Sequence, residues 1–123
     1  MYEVKIITSF SAAHRLENFN GKCEALHGHN WKVEVFLRGE KLNETGLLMD
    51  FGVVKAHTRE LLEEVDHKYL NELSAFSQQN PSSENLATFL FQRLAAVLNQ
   101  DGVKVSRVDV WESDTSCASY YQD

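Results

Sequence analysis

Long apolar runs and basic clusters are scarce in this sequence, and each scarcity excludes something. No window of the 123 residues approaches the ~20 consecutive apolar positions of a membrane-spanning helix. The opening MYEVKIITSF lacks the charged-then-apolar layout of a secretory leader, so the expected location is the cytoplasm, with no membrane partner. In that compartment the two cysteines, Cys23 and Cys117, are expected as free thiols rather than as a disulfide. Lys and Arg number 12 against 18 Asp and Glu, a formal net charge of -6, and they form no patch. A phosphate backbone calls for a basic face, so no nucleic-acid partner is expected. The same balance gives no long-range attraction to a phosphorylated substrate, which would depend on local groups such as Arg15, Lys22 or Lys68. Internal linkers and low-complexity tracts are also missing, and the length suits one domain spanning residues 1–123.

What is present is an ordinary globular mixture, 43% apolar and 24% charged. Residues 2–13, YEVKIITSFSAA, and 30–38, NWKVEVFLR, are rich in β-branched and aromatic residues with alternation, and both read as strands. The second puts Trp31, Val33, Val35 and Leu37 on one side. From Asp50, a natural N-cap, the positions Phe51, Val54, Leu61, Leu62 and Val65 recur at helical spacing, so a helix is predicted to about Val65 or Asp66. DHKYLN then reads as a connection. In NPSSEN the single proline precedes a Ser cap and an early Glu; Leu86, Phe89, Leu90, Leu94, Val97 and Leu98 continue as an apolar stripe that Asp101-Gly102 should end. Residues 103–113 and 116–121, joined by a short turn, complete the chain as strands. The order ββααββ predicts an α+β fold, a four-stranded antiparallel sheet with two helices on one face. Its two unpaired edges make oligomerisation a reasonable expectation.

Chemistry concentrates in CEALHGHNW. His27 and His29 are two residues apart, so on an extended segment both imidazoles project to one side, while Gly28 admits close approach. His14 ends the first strand and faces the same spot if the first two strands pair. Three imidazoles with a vacant fourth position are the donor set of a catalytic zinc site; the alternative is ordinary surface or core histidines. Cys23 fits either a fourth ligand, which would make the zinc structural, or a thiolate base. Glu24 is either a second carboxylate beside it or a solvated loop charge. Asp66-His67 can turn a carboxylate and an imidazole into a cleft as a proton relay. Glu112 falls on the face of Val108 and Val110, where a carboxylate either ends the strand in solvent or accepts from a ligand. Phe89 and Phe91 read as core and His57 as surface.

FSAAHRL, CEALHGHNW, LLMDF, VDHKYLN, NPSSENLA and WES, spread over nearly the whole chain, resemble the 6-pyruvoyl-tetrahydropterin and 6-carboxytetrahydropterin synthase family. The resemblance implies a tunnelling fold, or T-fold, whose subunits join edge to edge into trimeric barrels that stack as hexamers, with active sites between subunits. It also implies zinc on His14, His27 and His29, a catalytic thiol at Cys23, a proton-transfer pair at Asp66 and His67, and a pterin anchor at Glu112. Members with CxxxHGH resemble either the bacterial 6-carboxytetrahydropterin synthase of queuosine synthesis or the animal 6-pyruvoyl enzyme. A branch with ExxHGH resembles enzymes that cut dihydroneopterin to 6-hydroxymethyldihydropterin for folate. This chain carries both Cys23 and Glu24 and is similar to members expected to do both. The non-enzymatic alternative is a structural zinc module closed by Cys23.

Overall fold

The alternation of the first two segments becomes a long hairpin in the computed structural model, which describes residues 1–18 and 24–122. Strand β1 spans Tyr2–His14 and β2 spans His27–Gly39, antiparallel in a register that sets Ile6 opposite Val35, Phe10 opposite Trp31 and His14 opposite His27. β2 begins three residues earlier than residues 30–38 suggest, so the whole HGH motif lies on the sheet. The even positions of β1 and the odd positions of β2 face inward; Trp31, Val33, Val35 and Leu37 are fully buried.

Helix α1, Phe51–Leu62, starts where Asp50 accepts a hydrogen bond from the Gly52 amide. Regular helix stops at Leu62, short of Val65. The chain there obeys tertiary contacts: Val65 is fully buried, and the Asp66 carboxylate leaves the helix to accept from the Ser11 amide of β1. Residues Lys68–Tyr69 then form a two-residue strand, β3, parallel to β1 at Ala12 and Ala13. The sequence reads there as a polar and aromatic connection. The sheet is accordingly five-stranded and mixed, with β3 added to the four antiparallel strands the sequence predicts.

Helix α2, Ser83–Leu98, is capped by Ser82, whose hydroxyl accepts from the Asn85 amide. It ends before Asp101-Gly102, because Asn99 turns extended and its side chain accepts from the Val105 amide. Gly102, at φ 79°, occupies a left-handed turn that opens the next strand. β4, Val103–Ser113, and β5, Ser116–Tyr121, close the sheet in the order β3-β1-β2-β4-β5. Both helices cover one face, α2 across β4 and β5 and α1 against β1 and α2. Leu86, Leu90 and Leu94 of α2 and Val54 and Leu61 of α1 bury the apolar side of the sheet. No helix among the described residues is long and apolar enough to cross a membrane.

Candidate metal centre and active site

The register that pairs β1 with β2 delivers three imidazoles to one place. His14 lies opposite His27 and Ala12 opposite His29, and all three rings project to the helix-covered side, their centroids 4.7–5.2 Å apart. The Trp31 indole floors the group, 4.9 Å from the His14 ring and 5.1 Å from that of His29, with its Nε1 donating to the Ala12 carbonyl. Burial is steep across the cluster: His14 is 2% exposed, whereas His27 and His29 are partly open.

The tautomers follow from the partners. His14 Nδ1 lies 2.8 Å from the Pro81 carbonyl, and His27 Nδ1 lies 2.8 Å from the Ala25 carbonyl. A carbonyl oxygen only accepts, so both Nδ1 atoms carry a proton, and in the neutral rings both Nε2 atoms present lone pairs. Those Nε2 atoms face each other at 3.1 Å. Two acceptors in that geometry repel unless a cation lies between them. His29 adds a third nitrogen: its Nε2 is buried without a well-directed hydrogen bond, although Glu112 Oε1 stands 3.1 Å away. Burial holds the His29 imidazolium below its usual range; Glu112 opposes this, and His14 and His27 add to it. A ring kept neutral is ready to ligate. His14, His27, His29 and Glu112 each offer a ligand atom within 4.8 Å of the others, a group that can hold a metal ion.

Glu112, whose place on β4 reads either as a strand end in solvent or as an acceptor from a ligand, meets His29 with one oxygen and accepts from the Ser83 hydroxyl, 3.3 Å away, with the other. Asp66 and His67 are adjacent to this cluster rather than members of it. Asp66 Oδ1 accepts from the Ser11 amide at 2.9 Å and lies 3.0 Å from His67 Nδ1. The Ser11 amide holds the Asp66 carboxyl below the usual aspartate range; burial opposes it, and the His67 contact adds to the lowering. His67 sits at φ 57°, uncommon for a non-glycine residue, with its side chain 80% exposed. His67 and His29 line one shallow cleft of about 490 Å3 together with Ser11, Asn30, Lys68 and Tyr69. Glu24 holds the other end of the loop: its amide donates to the Leu16 carbonyl, and its carboxylate accepts from the Leu16 amide at 3.1 Å. Cys23 and Lys22 lie outside the described residues. Cys117 is exposed on β5 and is not among the cluster's donors.

Three partners of the cluster have no signal in the sequence. The Pro81 and Ala25 carbonyls are backbone atoms, which any residue supplies, and Ser83 reads only as part of a helix start. Trp31 was visible as an inward strand residue but not as the floor of a site.

The fold and the sequence both have counterparts in known proteins. The C. elegans 6-pyruvoyl tetrahydropterin synthase structure superposes with a TM-score of 0.85 at 27% identity, covering 99% of this chain and 96% of that one. The 6-carboxy-5,6,7,8-tetrahydropterin synthase of Synechocystis sp. is 40% identical over 119 residues, 92% of this chain and 88% of that protein. Dihydroneopterin monophosphate aldolase of Pyrococcus furiosus is 35% identical over 106 residues, 86% of this chain and 85% of that protein. With the T-fold in place, three histidines gathered on its β1–β2 hairpin, and the profile described as 6-pyruvoyl tetrahydropterin synthase matching residues 3–123, this chain belongs to that family of pterin enzymes.

Proposed function

We propose that the protein is a zinc-dependent carbon-carbon lyase that converts 7,8-dihydroneopterin triphosphate to 6-carboxy-5,6,7,8-tetrahydropterin, a step toward queuosine. The observation that carries the reading is the 3.1 Å approach of the His14 and His27 Nε2 atoms, each ring with its Nδ1 on a backbone carbonyl, with the orphaned Nε2 of His29 beside them. The donor set suits zinc, which takes neutral imidazole nitrogen readily and keeps one position open in catalytic sites. Zinc on these three residues would supply a Lewis acid for the hydroxyls of the substrate side chain, acidifying the neighbouring C–H.

The remaining roles belong to this chain's own groups. The Cys23 thiolate removes the proton from carbon. The Asp66 carboxylate orients His67 through Nδ1, leaving Nε2 of that ring to give or take a proton on the other side of the substrate. The Glu112 carboxylate accepts from the pterin amino and ring N–H groups in parallel, and the Ser83 hydroxyl on its second oxygen supports that orientation. Asp66 and His67 lie at the β3 edge beside the histidine cluster, with the His67 side chain 80% exposed, which leaves room for a second copy in a dimer of trimers to complete the active site.

A second activity is supported by the similarity to the aldolase of P. furiosus and by Glu24, whose charge reaches His29. In it, Glu24 acts as base on dihydroneopterin, cleaving the side chain to leave 6-hydroxymethyl-7,8-dihydropterin, a folate precursor. The formation of 6-pyruvoyl-tetrahydropterin uses the same groups and differs in which bonds break. Incubation of zinc-loaded protein with dihydroneopterin and, separately, its triphosphate, followed by mass identification of every pterin, separates the three. The carboxy product from the triphosphate is expected; the pyruvoyl product would replace this reading with the carbon-oxygen lyase.

A further inference from the structure

The chain beyond His14 is held by side-chain amides where strand pairing stops. β3 covers β1 only at Ala12 and Ala13, yet Arg15 and Glu17 are paired further along on both their backbone groups. Asn71 accepts from the Arg15 amide at 3.0 Å and donates its own NH2 to the Arg15 carbonyl at 2.9 Å. Asn80 does the same for Glu17, at 2.9 Å in each direction. A carboxamide carries the donor and the acceptor of a peptide group, so each asparagine acts as a one-residue strand. Leu16, between them, is held instead by Glu24. This alternation is that of an extended strand, and it carries the direction of β1 three residues past His14.

The second asparagine connects this clamp to the metal centre. Asn80 precedes Pro81, whose carbonyl accepts the Nδ1 proton of the buried His14 at 2.8 Å. The carbonyl of Asn80 itself accepts from the Asn85 side chain at 2.8 Å, tying the turn to the first turn of α2. The His14 ring, the backbone three residues on and the start of α2 thus form a closed ring of hydrogen bonds.

We propose that Asn71 and Asn80 are positioning residues for His14: they fix the end of β1 against the Pro81 carbonyl and so hold the tautomer whose Nε2 faces the other two histidines. The consequence for zinc rests on the function proposed above; the tautomer does not. Zinc affinity by competition with a chromophoric chelator, and nitrogen-15 NMR of the histidine rings in metal-free protein, are measured for Asn71→Ala, Asn80→Ala and Asn80→Asp. Asp50→Ala, which removes the remote cap of α1, controls for lost stability alone. Expected are a loss of the Nδ1-protonated signature of His14 and zinc binding weakened about tenfold in the alanine variants, with Asn80→Asp between them and the wild type and Asp50→Ala unchanged in both readouts. Lower melting temperature with His14 still Nδ1-protonated and zinc affinity intact overturns the proposal, since the asparagines would then serve the fold alone. If the wild-type protein binds no zinc, the metal reading fails and the tautomer comparison still decides this one. Should Asn80→Ala not fold, Asn71→Ala and Asn80→Asp carry the test.

Discussion

Two neutral imidazoles that each turn Nδ1 to a backbone carbonyl have only lone pairs to offer one another, so the His14–His27 contact suits a cation between them. Around that contact the other groups divide by what they touch, and single substitutions separate them. Cys23→Ala is expected to retain zinc while lowering formation of the carboxy product by at least about a hundredfold, the contribution of a general base; zinc lost along with the thiol, measured by metal analysis, would mean that sulfur is a ligand. Glu112→Gln keeps the shape and removes the charge, so pterin affinity by fluorescence titration should fall roughly tenfold to a hundredfold, with zinc affinity nearly constant. A large loss of zinc instead would make Glu112 the fourth ligand, which its 3.1 Å approach to His29 permits. Asp66 carries a pH dependence. Its carboxyl is held below the usual range chiefly by the Ser11 amide, so it contributes stability above the unfolded pKa near ~4, and that contribution disappears as pH falls through the lower folded value. Urea titrations of Asp66→Asn should therefore differ from wild type by a constant amount above about pH 5 and converge with it at more acidic pH.

The hairpin and the α2 start are the elements that make the site. Period-two alternation placed Trp31, Val33, Val35 and Leu37 inside and carried His27 and His29 to the same side, and pairing with β1 brought His14 across to them. That much was legible because strand geometry converts spacing into direction without reference to the rest of the chain. β3 was not legible: two residues, Lys68 and Tyr69, are too few to show any period, and their pairing depends on where α1 delivers the chain. The amide clamps of Asn71 and Asn80 escaped for a related reason, since their partners lie 56 and 63 positions away and no local pattern marks them. The end of α2 was misplaced because Asp101-Gly102 has the composition of a helix stop, whereas in the fold it makes the turn into β4. That turn lies tight against β2. A methyl added at Gly39 would collide with the Gly102 carbonyl oxygen and come within 2.7 Å of Leu48 Cδ1. Gly39→Ala is thus expected to cost about 1–3 kcal/mol, read as a lower urea midpoint at unchanged slope.

At the scale of the molecule, the sheet exposes backbone along most of β1 at one edge and along β5 at the other, and the exposed Asp66-His67 pair sits at the first of these. If sites form between copies, Cys23 and His67 of one site come from different chains. Mixing inactive Cys23→Ala and His67→Ala proteins under conditions of subunit exchange should then restore about a quarter of the wild-type activity, because random assembly leaves that share of sites intact. No recovery, with exchange demonstrated by sedimentation, would place both groups on one chain. The most direct test of the metal centre on which all of this stands is X-ray absorption spectroscopy of the zinc-loaded protein without substrate. The expected result is one zinc per chain, with three nitrogen scatterers at about 2.0–2.1 Å and the remaining coordination from light atoms. A persistent sulfur shell near ~2.3 Å, or the same spectrum from His14→Ala, would contradict it.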